Sequence, residues 1–103
     1  MSSNIQFLTE LEEIIQDRIS NPSENSYVSR LVASGEKRVA QKIGEEAVEL
    51  SLASVAGDSK EQLNEAADLV FHLLVLLKTK GLSLRQVSDV LMKRHESRVS
   101  TKS

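Results

Sequence analysis

The sequence has no cysteine and no tryptophan, and its aromatic residues amount to one tyrosine and two phenylalanines. Without cysteine there are no disulfides, no thiol chemistry and no cysteine-based zinc sites. So few aromatic rings exclude a stacking surface for successive bases of single-stranded nucleic acid. Two histidines, His72 and His95, are too few and too far apart for a histidine-rich metal site. An excess of positive charge is also missing: 13 Lys and Arg stand against 15 Asp and Glu, for a net charge of −2, so nothing points to nucleic acid or an anionic membrane. Long apolar runs are absent. The longest, Leu69 to Leu77, is interrupted by His72, whereas a membrane-spanning helix needs about 20 apolar residues. The opening "MSSNIQFLTE" has no basic stretch leading into an apolar one and does not read as a signal peptide. The expectation is a soluble, cytoplasmic protein that binds neither membrane nor nucleic acid.

What is present is helical periodicity from end to end. The 103 residues suit one domain, residues 1–103. Phe7, Leu8, Leu11, Ile14 and Ile15 form a first apolar stripe, broken by "SNPSENS" around Pro22. Ser26 is placed to cap a short helix carrying Tyr27, Val28, Leu31 and Val32, with Gly35 at its C-terminal end. A third helix is expected over Glu36–Val55, with Val39, Ile43, Ala47, Leu50 and Ser54 facing inward. "AGDSKEQ" is the turn, where Asp58 with Glu61 and Ser59 with Gln62 both read as capping boxes. A fourth helix, Lys60–Lys80, is apolar nearly all round from Ala66 to Leu77 and stops at Gly81. A helix apolar on every side is buried on every side, and four other helices in so short a chain leave it uncovered. A second copy of the chain is therefore expected to bury it. "SLRQ", residues 83–86, caps a fifth helix through Leu84, Val87 and Leu91, and "STKS" is expected to fray. The fold class is all-α: about five helices, with a central helical hairpin completing a bundle across a homodimer.

The hairpin carries acids where hydrocarbon belongs. Glu46 and Glu49 are three apart and share a helix face, as do Glu65 and Asp68. Like charges at this spacing repel by roughly 0.2–0.5 kcal/mol per pair, and burying one without a partner costs far more. Residue 57 is the midpoint both of 46 and 68 and of 49 and 65. A turn centred on Gly57 therefore sets Glu46 level with Asp68 and Glu49 level with Glu65, roughly 12–17 Å from the turn at about 1.5 Å per residue. Four carboxylates brought together by two rigid elements either protonate or bind a hard cation. Mg²⁺ suits them, because it prefers oxygen ligands and takes substrate phosphates into its shell. The bland alternative is a solvated acidic face. Glu45 is either a fifth ligand or a surface residue, and a place just outside the ligand set is the favoured reading.

Arg30, Lys37, Arg38 and Lys42 lie just upstream. Lys42, one turn before Glu46, is either an ion-pair partner or, with the others, a cation for a polyphosphate. His72, one turn after Asp68, is read as a satisfied interior histidine in preference to a ligand, and His95 as a surface residue, with Arg94 and Arg98 placed to add positive charge near a phosphate.

Glu-x-x-Glu, fifteen residues, then Glu-x-x-Asp resembles the metal-binding signature of the all-α nucleoside triphosphate pyrophosphatases. "SYVSRLVASGEKRVAQKIGEEAVEL" followed by "NEAADLVFHLLVLL" is similar to the phosphoribosyl-ATP pyrophosphatases among them, over residues 5 to 98. The resemblance implies an all-helical homodimer, Mg²⁺, and hydrolysis of phosphoribosyl-ATP to phosphoribosyl-AMP and pyrophosphate, the second step of histidine biosynthesis. It implies metal ligation by Glu46, Glu49, Glu65 and Asp68, and a basic block at Lys37, Arg38 and Lys42. The expected mechanism is water attack at the α–β phosphoanhydride, with Glu46 or Glu49 orienting or deprotonating the water. Some relatives are fused to a phosphoribosyl-AMP cyclohydrolase domain, for which this sequence has neither the length nor the cysteines. Two other readings stand beside this one: a house-cleaning nucleoside triphosphate pyrophosphatase with the same metal site, and a non-catalytic helical dimerisation module.

Overall fold

A computed structural model describes residues 3–102. Five helices follow in order: α1 (Phe7–Ser20), α2 (Tyr27–Ala33), α3 (Glu36–Ala56), α4 (Ser59–Thr79) and α5 (Leu84–Lys102). The architecture is all-α, with no strand among the described residues. No helix among them is long and apolar enough to cross a membrane.

The boundaries follow from local chemistry. The Ser26 hydroxyl accepts the Ser29 N–H at 3.2 Å and starts α2. Gly35, at φ +107°, ends α2 and caps α3 in one residue, a backbone conformation that costs glycine little. Asp58 caps α4 by accepting the Glu61 N–H at 2.9 Å. Ser59, expected to head a second capping box with Gln62, is instead the first residue of α4. The Gln62 amide reaches back to the carbonyls of Ala53 (3.3 Å) and Gly57 (3.2 Å) and staples the turn. Beyond α4, Leu82 donates to the Leu77 carbonyl (2.8 Å) and Gly81 to that of Lys78 (3.2 Å), around Gly81 at φ +69°. This double closure satisfies carbonyls the helix leaves open. Ser83 and Gln86 form a reciprocal capping box at the start of α5, 2.9 and 3.2 Å. The tail expected to fray continues α5 through Lys102, and Ser103 lies outside the described residues.

α3 and α4 pack along each other as the hairpin, α1 lies on α4, and α2 fills the corner between α1 and α3. The core is Ile15, Val28, Leu31, Val39, Leu74 and Val75. Each such side chain contributes about 1.5–3 kcal/mol of burial. Of the stretch Ala66–Leu77, Leu74, Val75 and Leu77 are buried within the single chain, while Leu69, Val70, Phe71, Leu73 and Leu76 are half-buried and Ala67 is exposed. The large exposed apolar residues lie elsewhere on the hairpin: Val48, Leu52 and Val55 on α3, and Leu63 on α4. Ser54, expected to face inward, is exposed, and its hydroxyl bonds the Ser51 carbonyl at 2.7 Å. The first stripe also splits. Ile15 is buried while Phe7 and Ile14 stay exposed, and a carboxylate, Glu12, goes inside. Glu12 receives the Leu84 N–H at 3.0 Å and Lys78 Nζ at 3.5 Å, fastening the start of α5 to α1 and α4. α5 packs least, leaving Val90, Leu91, Met92 and Val99 exposed.

Candidate metal centre

The hairpin turns about Gly57, so the two acidic segments run past each other as the register requires. A side chain cannot replace the glycine's hydrogen. A Cβ there would stand 2.5 Å from Glu61 Oε2 and 2.9 Å from the Ala53 carbonyl. Glu46 and Glu49 from α3 and Glu65 from α4 converge, each offering a carboxylate oxygen within 4.8 Å of the others. Glu46 is buried, Glu65 half-buried and Glu49 exposed, so the cluster opens to solvent on the Glu49 side. Asp68, the fourth acid of the predicted set, is exposed one turn further along α4 and lies outside this group of three. Glu45 also lies outside it and pairs with Arg38 at 3.0 Å.

Two buried oxygens in the cluster, Glu46 Oε2 and Glu65 Oε2, have no hydrogen-bond partner. Leaving a buried carboxylate oxygen unpaired is costly. Three carboxylates as hard oxygen donors, two of them with an unpaired buried oxygen, fit a divalent cation such as Mg²⁺. The protein's own cation satisfies only part of the charge: Lys42 Nζ lies 3.2 Å from Glu46 Oε1, with both side chains largely enclosed. That hydrogen bond pushes the Lys42 pKa up, against partial desolvation, with Tyr27 and Glu45 adding to the rise. Glu49 is pushed above its ordinary value too, first by a hydrogen bond shared with Glu65, then by the charge of Glu46.

The predicted phosphate-binding cations are distributed as follows. Lys42 is in the cluster. Arg38 is one step out, on Glu45. Arg30 is exposed and donates to the Glu24 carbonyl at 2.7 Å. Lys37 is exposed near the start of α3, and Arg94, His95 and Arg98 are exposed on α5.

Sequence reasoning placed His72 inside and satisfied, which the structure shows, but passed over its partner. His72 Nδ1 lies 2.7 Å from the Asp68 carbonyl, which can only accept, so Nδ1 carries the proton. In the neutral ring Nε2 is then the acceptor, and Tyr27 donates its hydroxyl proton to it at 2.7 Å. Phe71 and His72 both meet the Tyr27 ring, at centroid distances of 6.2 and 5.6 Å. The available signal was the chain's single tyrosine, standing directly after the cap of α2.

A family model described as phosphoribosyl-ATP pyrophosphohydrolase matches residues 8–95, which contain every residue of the cluster. The histidine biosynthesis bifunctional protein HisIE of Buchnera aphidicola subsp. Acyrthosiphon pisum is 50% identical over 100 residues, 97% of this chain and 46% of the relative. The protein of the same description from Escherichia coli K12 is 51% identical over 90 residues, 87% of this chain and 44% of the relative. That from Photobacterium profundum is 47% identical over 89 residues, 86% and 43% respectively. The chain thus spans a little under half the length of each of these relatives.

Proposed function

We propose a function from one premise: this chain belongs to the phosphoribosyl-ATP pyrophosphohydrolase family. It hydrolyses the α–β phosphoanhydride of phosphoribosyl-ATP, releasing phosphoribosyl-AMP and pyrophosphate, as the second step of histidine biosynthesis. The observation that supports this best is the convergence of Glu46, Glu49 and Glu65, with two buried unpaired oxygens, inside the matched span.

Glu46, Glu49, Glu65 and Asp68 would hold Mg²⁺. When bound, the ion supplies the positive charge that draws the triphosphate oxygens in and polarises the phosphoryl group. Glu46 sits deepest and is kept in place by Lys42. Glu49 stands at the open rim, where a water molecule can approach. It orients that water and accepts its proton while the water oxygen bonds to the α-phosphorus and the bridging oxygen leaves with pyrophosphate. Positioning and charge stabilisation supply most of the rate at phosphorus. Arg38 is held by an exposed ion pair, worth about 0–1 kcal/mol. A phosphate can take it over at little cost, and Arg30, Lys37 and Lys42 add to the same field. Residues 1–103 act as one catalytic unit, cytoplasmic and homodimeric, with Val48, Leu52, Val55 and Leu63 as the apolar face that a second copy covers.

The test is to mix the protein with phosphoribosyl-ATP and Mg²⁺ and measure pyrophosphate, with ATP in parallel. A much higher kcat/KM for phosphoribosyl-ATP is expected. Equal values for the two would overturn the histidine-pathway assignment and favour a general nucleotide pyrophosphatase.

A further inference from the structure

Tyr27 has a use that core packing does not explain. Its hydroxyl is held by buried His72, itself locked by the Asp68 carbonyl, and Phe71 flanks its ring. Yet the residue remains 42% exposed. A ring fixed in this way and left open to solvent is organised to receive something. Its place relates it to the carboxylates. Phe71 and His72 lie six and seven residues beyond Glu65 on α4, so the ring is about 10 Å along the helix from that carboxylate. Tyr27 opens α2, which packs on α3, the helix that carries Lys42 and its partner Glu46. That offset matches a triphosphate at the acids with the ribose and base reaching toward α2.

The chemistry of the substrate sharpens the match. In phosphoribosyl-ATP the adenine already carries one ribose, and a second ribosyl group on a ring nitrogen leaves the base positively charged at neutral pH. ATP presents a neutral base. An aromatic face attracts a cation through its quadrupole, more strongly as the site is desolvated, and any base stacks on such a ring. A phenol that donates its proton to a histidine nitrogen gains electron density, which strengthens the attraction.

We propose that Tyr27, oriented by His72, is the platform on which the charged, doubly ribosylated adenine stacks, so that the enzyme recognises the cationic base as well as the phosphates. This rests on the phosphoribosyl-ATP reading above. It assigns specificity to the ring, separately from any basic residue that holds the second ribose phosphate.

The chain has one tyrosine and no tryptophan, so intrinsic fluorescence reports Tyr27 alone. The full-length protein is titrated with 1-methyladenosine 5′-monophosphate, whose base is cationic, and with AMP. Quenching is expected to saturate at about tenfold lower concentration for the methylated nucleotide. Identical curves, or no change with either, would overturn the proposal. In parallel, kcat/KM for phosphoribosyl-ATP and for ATP is measured on wild type, Tyr27→Phe and Tyr27→Leu. The ratio of the two should fall roughly tenfold in the leucine variant and only about threefold in the phenylalanine variant, which keeps the ring. An equal loss on both substrates would make Tyr27 merely structural. Should wild type release no pyrophosphate from phosphoribosyl-ATP, the functional reading falls, while the fluorescence titration still decides whether the ring binds a cationic base.

Discussion

Replacing Glu65 by glutamine removes one charge from the cluster and keeps its shape. Two unit charges 4.8 Å apart, the outer limit for Glu46 and Glu65, repel by about 3.5 kcal/mol at an effective dielectric of 20 and about 0.9 kcal/mol in water. Lys42 on Glu46 offsets part of this, so relief of about 1–3 kcal/mol is expected in chelator. At about 4–8 °C per kcal/mol for a domain near this size, the metal-free variant should melt at least about 4 °C above wild type. With Mg²⁺ the order narrows or reverses. At a hundred times its dissociation constant a ligand stabilises by about 2.7 kcal/mol. A variant that binds tenfold more weakly gains only about 1.4 kcal/mol at the same concentration. Calorimetric titration with MgCl₂ and thermal melts with and without chelator measure both arms. An unchanged metal-free melt together with unchanged Mg²⁺ affinity would refute the reasoning and leave the three acids as a solvated face.

Two further outcomes follow from the described geometry. Leu52→Asp changes a residue 65% exposed on the hairpin; it should leave helicity intact and give monomers by light scattering, whereas Leu74→Ala, in the chain's own core, should cost about 2–5 kcal/mol in any oligomeric state. A variant dimer as tight as wild type would remove this face from the interface. The folded-state pKa of Glu49 is raised, so the native metal-free protein holds a proton that the unfolded chain has released, and stability falls as pH climbs above the ordinary value of 4.5. The melting advantage of Glu49→Gln over wild type should therefore be absent below that pH and grow above it. An advantage independent of pH would exclude charge repulsion as its source.

The helical hairpin was legible because three signals agreed: the capping residue Asp58, the turn glycine Gly57 and the symmetric spacing of the acids. That agreement also located Glu46, Glu49 and Glu65. Asp68 was placed level with Glu46 by the same spacing and stands outside the group of three. Register puts two residues level, but side-chain direction around each helix decides whether their oxygens meet. For a related reason the burial of α4 was legible only in part. Periodicity shows that a helix is apolar all round, but not how much of it two short helices can cover. The burial of Glu12 and the partner of Tyr27 were not legible. Glu12 is a carboxylate buried because a distant N–H needs it, Tyr27 a surface aromatic held by a histidine 45 positions away, and pairings of that range leave no trace in local spacing.

The three converging carboxylates lie within twenty consecutive residues, Glu46 to Glu65, joined by one tight turn. Closing so short a loop costs little chain entropy, and the geometry depends on two helices that are neighbours in sequence. Segments of a native protein open independently, each at its own free energy. In this molecule the sparsely packed α5 can detach and reattach while the acids stay assembled on the hairpin. In a hydrogen-exchange experiment, amides of α5 would therefore exchange on a faster clock than those flanking the cluster. Added Mg²⁺ would slow exchange of the second set and leave the first untouched.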